Sequence, residues 1–129
     1  MRIYILLTLM CLCTSFATAA DFKPYPEAKI SLDQFEEYQG IIAEEFGGSA
    51  VQISDQNLVV YLDNQKGNYA FTTEGHPAHP SWIARRVVEE NGSVNIEQIG
   101  YFAGEEKPFA SLYQQYRDLN EQIKQGMKK

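Results

Sequence analysis

The sequence predicts an α+β domain: an antiparallel sheet of about five strands, a meander followed by a hairpin, with an N-terminal and a C-terminal helix packed on one face of it. Three observations carry that expectation. A capped stretch of helical periodicity opens at Ser31, the hydrophobic period changes to two beyond Gly47-Gly48, and Asn91-Gly92 sits between two runs of β-forming residues.

Residues 1–20 stand apart from that domain. Arg2 is their only charge, Ile3 to Phe16 form an apolar run, and Ala17, Thr18, Ala19 and Ala20 precede Asp21. A secretory signal has this order: a basic start, an apolar centre, and small side chains one and three positions before the cut. The run is shorter than the roughly 20 residues of a comfortable membrane span. Cleavage before Asp21 is therefore expected, leaving residues 21–129 as a single small domain with no stable membrane span and a periplasmic or secreted destination. Both cysteines, Cys11 and Cys13, fall inside the leader, so the exported domain is expected to fold without a disulfide.

Loss of Arg2 takes the net charge from −6 to −7. That sign repels phosphates, so sequence-independent binding to nucleic acid or anionic lipid is not expected. Aromatic residues from Phe22 to Tyr116 supply the apolar mass of a folded core.

In order along the domain, Asp21 to Lys29 reads as an extended lead-in, with Pro24 and Pro26 and no periodic pattern. Ser31 and Gln34 then form a capping box, and Ile30 can pack on Phe35 across the first turn. Leu32, Phe35, Tyr38, Ile41, Ile42 and Phe46 recur at spacings of three and four until the glycine pair. Val51 and Ile53, then Leu58, Val60 and Leu62, alternate as strands do, and Tyr69 to Thr73 supplies a third. Asn91-Gly92 suits a two-residue hairpin turn. Its register sets Glu90 against Ser93, Arg86 against Glu97, Ala84 against Ile99, Val87 against Ile96 and Trp82 against Tyr101. A short helix from Trp82 to Glu90 is the competing assignment, because alternation there is imperfect; Glu89 and Glu90 would oppose its dipole. Pro108 suits a helix start, and Phe109, Leu112, Tyr113, Tyr116, Leu119 and Ile123 form the apolar stripe of the last helix.

Both histidines lie in Glu74-Gly75-His76-Pro77-Ala78-His79-Pro80. Imidazoles are common zinc and copper ligands, and His76, His79 and Glu74 could converge on one ion. Prolines after each histidine disfavour the helical backbone that would align the rings, and no cysteine completes a set of four. A tight connection with locally bonded histidines is the preferred assignment. Arg85-Arg86 could grip an anion with planar guanidinium groups, although a cross-strand pair of Arg86 with Glu97 competes. Trp82, paired with Tyr101, suits either a core or a contact surface. Ser81 lacks the surroundings of a nucleophile elbow, and adjacent acids such as Glu36-Glu37 point apart on a helix or strand.

The function expected first is an exported, noncatalytic binding or interaction module. It would meet a protein partner or a small ligand through its sheet or its 74–80 loop, with His76, His79, Arg85 and Trp82 as candidate contacts and no cofactor required. Second is zinc or copper binding by His76, His79 and Glu74. A small hydrolase is third.

Overall fold

The computed structural model describes residues 25–63 and 67–127. The expected signal and its cleavage site lie outside the described residues. Helix α1 (Leu32–Phe46) begins where the capping pattern places it: Ser31 Oγ accepts from the Gln34 N–H at 3.1 Å, and Gln34 Oε1 accepts from the Ser31 N–H at 2.9 Å. Two otherwise orphaned donors of the first turn are thus matched. Ile30 and Phe35 share one core. The helix ends at Phe46 and passes into a 3-10 turn at Gly47–Ser49. Ser49 then ties that turn to the sheet, its Oγ accepting from the Leu62 N–H at 2.9 Å. Leu32, expected on the buried face, is 53% exposed, and Phe35, Tyr38 and Ile42 carry the burial.

The sheet is a five-stranded antiparallel meander in sequence order: β1 (Val51–Ile53), β2 (Leu58–Asp63), β3 (Gly67–Thr72), β4 (Ser81–Glu90) and β5 (Ser93–Phe102). The α+β class and the five antiparallel strands are as expected. Residues 82–90 are strand, and the hairpin register is the one the Asn91-Gly92 turn dictates, from Glu90 opposite Ser93 to Trp82 opposite Tyr101. Asn91 and Gly92 both take positive φ, 53° and 79°. Alternation along β4 is imperfect for a physical reason: Ser81, Trp82, Ile83 and Ala84 are all buried, because this part of the strand is covered on both faces.

That double burial corrects the expected helix placement. Helices α1 and α2 (Glu106–Met127) lie on opposite faces of the sheet. Trp82, Ala84, Tyr61, Phe71 and Tyr101 point toward Phe35, Tyr38 and Ile42 of α1. Trp82 stacks on Tyr38 with ring centroids 4.3 Å apart. The alternate residues Ile83 and Phe102 join Phe109 and Leu112 of α2 in a second core. Successive strand side chains point to opposite faces, so a strand with both parities apolar needs a layer on each side.

The first turn of α2 contains Pro108, two positions later than a first helical residue. It costs no hydrogen bond there, since those N–H groups lack intrahelical partners. Beyond Tyr116 the buried line continues through Asn120 rather than Leu119 and Ile123, each of which stays 38% exposed. Four side-chain bonds fix this register. Tyr113 Oη donates to Gln98 O at 3.1 Å, Gln98 Nε2 to Tyr113 O at 3.0 Å, Asn120 Nδ2 to Gln98 Oε1 at 2.7 Å, and Arg85 Nη1 to Asn120 Oδ1 at 2.8 Å.

At the other end of the same contact Gly100 lets α2 approach β5. A Cβ there would lie 2.9 Å from Phe109 Cζ and 3.0 Å from Tyr113 Cδ2. Gly100→Val is expected to crowd both rings and lower the unfolding free energy by about 1–3 kcal/mol, as overpacking does. Urea denaturation followed by far-UV circular dichroism measures it, and an unchanged midpoint would mean that α2 is not seated on β5 in this way.

Candidate functional site

The 74–80 segment is held by its own backbone. His76 N–H donates to Thr73 O at 3.1 Å, His79 N–H to His76 O at 3.0 Å, and Ala103 N–H to Pro80 O at 2.8 Å. Its side chains reach both layers: Ala78 is fully buried with Ile83 and Phe109, while the His79 ring meets Phe35 edge-on at 5.6 Å.

Each imidazole commits its Nδ1 to this framework. His76 Nδ1 accepts from the Ala78 N–H at 2.9 Å, which requires an unprotonated Nδ1. His79 Nδ1 lies 2.8 Å from Thr72 Oγ1. The Thr72 oxygen accepts from the Ser81 N–H at 2.9 Å, and its hydroxyl donates to Ser81 O at 3.1 Å. A hydrogen on His79 Nδ1 matches the lone pair that remains on Thr72 Oγ1. A zinc or copper ion would have to use the Nε2 positions. No group of three or more His, Cys, Asp or Glu side chains suited to a metal occurs among the described residues, so Glu74, which is exposed, does not join the histidines in one.

The paired arginines separate across the sheet. Arg86 meets Glu97 at 3.4 Å in a solvent-exposed pair, as the register anticipates. Arg85 points to the α2 face, where its guanidinium lies 4.6 Å from the Tyr116 ring centroid and bonds to Asn120. Burial lowers its pKa, an effect opposed by Tyr116. The guanidinium nevertheless remains a cation. Its Nε is buried without a hydrogen-bond partner, and so is Oδ1 of Asn68, the residue opposite it on β3. Trp82 is fully buried on the α1 side and presents no surface to a ligand. Of the four candidate contacts, then, His76 and His79 share a loop, while Arg85 and Trp82 serve opposite faces.

Arg85 forms part of a groove that the sequence reading did not anticipate. Because α2 runs over β4 and β5, the same face of β1 and β2 is left without a helix. Val60 and Leu62 on one side and Leu112, Tyr116 and Leu119 on the other border an open groove of about 480 Å³, and no acidic residue among the described ones lines it. That volume is within the usual range for small-molecule sites. The apolar parity of Leu58, Val60 and Leu62 was the available signal; the position of α2 decides whether it becomes core or groove. A second cleft, about 600 Å³, runs beside β5 under Tyr25. Its tyrosines are engaged internally, Tyr101 Oη donating to Tyr25 O and Tyr113 Oη to Gln98 O, both at 3.1 Å.

No family model matches the chain, and no curated protein or solved structure is significantly similar to it.

Burial, then the nearby His79, lowers the His76 pKa below its usual 6.5. The unfolded chain therefore takes up the proton first as pH falls below 6.5. The contribution to stability is complete above that value and is lost as pH drops through the folded pKa. Between about pH 7.5 and about pH 5.5 the thermal midpoint is expected to fall, and His76→Asn, which keeps an acceptor near the Nδ1 position, to fall less. Equal losses in the two proteins would remove His76 as the cause.

Proposed function

We propose that the protein is an exported, noncatalytic binding module whose recognition surface is the groove between α2 and strands β1–β2. One observation carries the reading: a sheet face left uncovered, with apolar side chains of β2 and α2 meeting around a half-buried cation. Ordinary surfaces scatter apolar residues singly, whereas a contiguous concave cluster marks a site of contact. The histidine loop is the weaker candidate, since the Nδ1 of each imidazole is already bonded within the chain. Export rests on residues 1–20. No helix among the described residues is long and apolar enough to cross a membrane.

The fluorescent apolar probe N-phenyl-1-naphthylamine is expected to brighten on binding, saturating near one per chain. Leu119→Arg is expected to weaken that binding about tenfold or more while sparing the fold, because Leu119 is partly exposed. Unsaturable or Leu119-independent fluorescence would count against the groove. Mass spectrometry of the exported product is expected to give a chain starting at Asp21, and a product retaining residues 1–20 would overturn the signal assignment.

A further inference from the structure

We propose that the groove takes a single-chain fatty acid, with the alkyl chain along the apolar walls and the carboxylate on Arg85. This rests on the groove being the recognition surface, and it adds the ligand's chemical class.

Arg85 is a permanent, half-buried cation, and it forms none of the ion pairs found among the described residues. Its neighbours, the Asn120 amide and the Tyr116 ring, are neutral acceptors that leave the charge uncompensated. Buried cations are ordinarily paired, and buried donors bonded. Arg85 is the charged side chain of the groove lining, so its guanidinium offers an incoming carboxylate a charge-assisted hydrogen bond there. Although the chain has seventeen Asp and Glu, no acidic residue among the described ones lines the groove. No described residue supplies the anion, which leaves that place to a ligand.

The walls then select what carries that anion. Valine and leucine side chains from β1 and β2 face leucine side chains of α2, so a hydrocarbon loses nothing on entering. A peptide would bring backbone N–H and C=O groups against walls with few polar partners. A second copy of the chain would bring another Arg85 and no groove carboxylate. Free inorganic anions would leave the apolar walls wet. An alkyl carboxylate satisfies both features at once, and the approximate volume of 480 Å³ suits one chain.

The test is calorimetric titration of the exported protein with laurate, dodecanol and dodecyltrimethylammonium, each below its micellar concentration, alongside Arg85→Met, Arg85→Lys and Leu119→Arg. Laurate is expected to bind one to one, with dodecanol about tenfold or more weaker and the cationic amphiphile weaker still. Arg85→Met should weaken laurate about tenfold or more relative to dodecanol, while Arg85→Lys keeps the laurate preference within a few-fold of wild type. The Lys variant keeps the experiment decisive if Arg85→Met fails to fold. Equal binding of laurate and dodecanol, both lost in Leu119→Arg but indifferent to Arg85, would overturn the carboxylate assignment and leave the groove standing. Absence of binding by every amphiphile and by the naphthylamine probe would overturn the groove itself. A laurate-insensitive dimer abolished by Leu119→Arg, or preferential binding of a leucine-terminated peptide, would also overturn the fatty-acid assignment.

Discussion

The structure depends on the burial of both faces of one short segment of strand, Ser81 to Ala84. Trp82 and Ala84 feed the core under α1; Ile83 feeds the core under α2. A two-layer arrangement would leave one of these sets in water, so the chain must supply a helix on each side. The helices come from opposite ends of the sequence, which makes the sheet the object that each of them needs for its own burial. Neither helix depends on propensity alone, since an amphipathic face without a partner is only marginally stable in water.

This constraint also explains how much was legible in the sequence. Elements specified by local chemistry could be placed: the Ser31-Gln34 box fixed the start of α1, and Asn91-Gly92 fixed ten pairings across β4 and β5. Both signals act through a few adjacent residues, where backbone geometry and hydrogen bonding suffice. The layer arrangement was legible in principle. Trp82, Ile83 and Ala84 in succession spoil the period of two, and that irregularity is itself the signature of a strand covered on both sides. Read as possible helix, it hid the second layer. The end of α2 was not legible, because Leu119 and Asn120 lie on neighbouring directions around the helix and only tertiary hydrogen bonds choose between them.

That choice links folding to the candidate site. The chain of bonds from Arg85 through Asn120 and Gln98 to Tyr113 holds α2 over β4 and β5. Leu58 is buried, whereas Val60 is half-buried and Leu62 is exposed beside the groove that α2 leaves over β1 and β2. Asn120 draws the helix over β4 and β5, and the same polar network that sets its position places an unneutralised guanidinium beside the uncovered face. Polar groups in a core add little net stability but specify one arrangement among several, and here the arrangement specified is the one with a groove.

The histidines illustrate the opposite relation between sequence prominence and role. Two imidazoles in a proline-containing loop attract attention because the residue type is rare and chemically able. Their surroundings use that ability locally: His76 caps the Ala78 N–H, His79 bonds Thr72 and packs on Phe35, and Ala78 between them fills the core beneath α2. The loop thereby joins the two cores around the end of the sheet, a task for which a ring with one polar and one apolar edge is well suited. Arg85, by comparison, looks in sequence like half of a surface pair. Its neighbour Arg86 does take that role with Glu97, and the period of two then turns Arg85 to the opposite face, where no carboxylate among the described residues pairs with it. The residues most prominent in the sequence are thus ones whose Nδ1 atoms are bonded within the chain, while the half-buried cation lies on the other parity of β4, beside the groove.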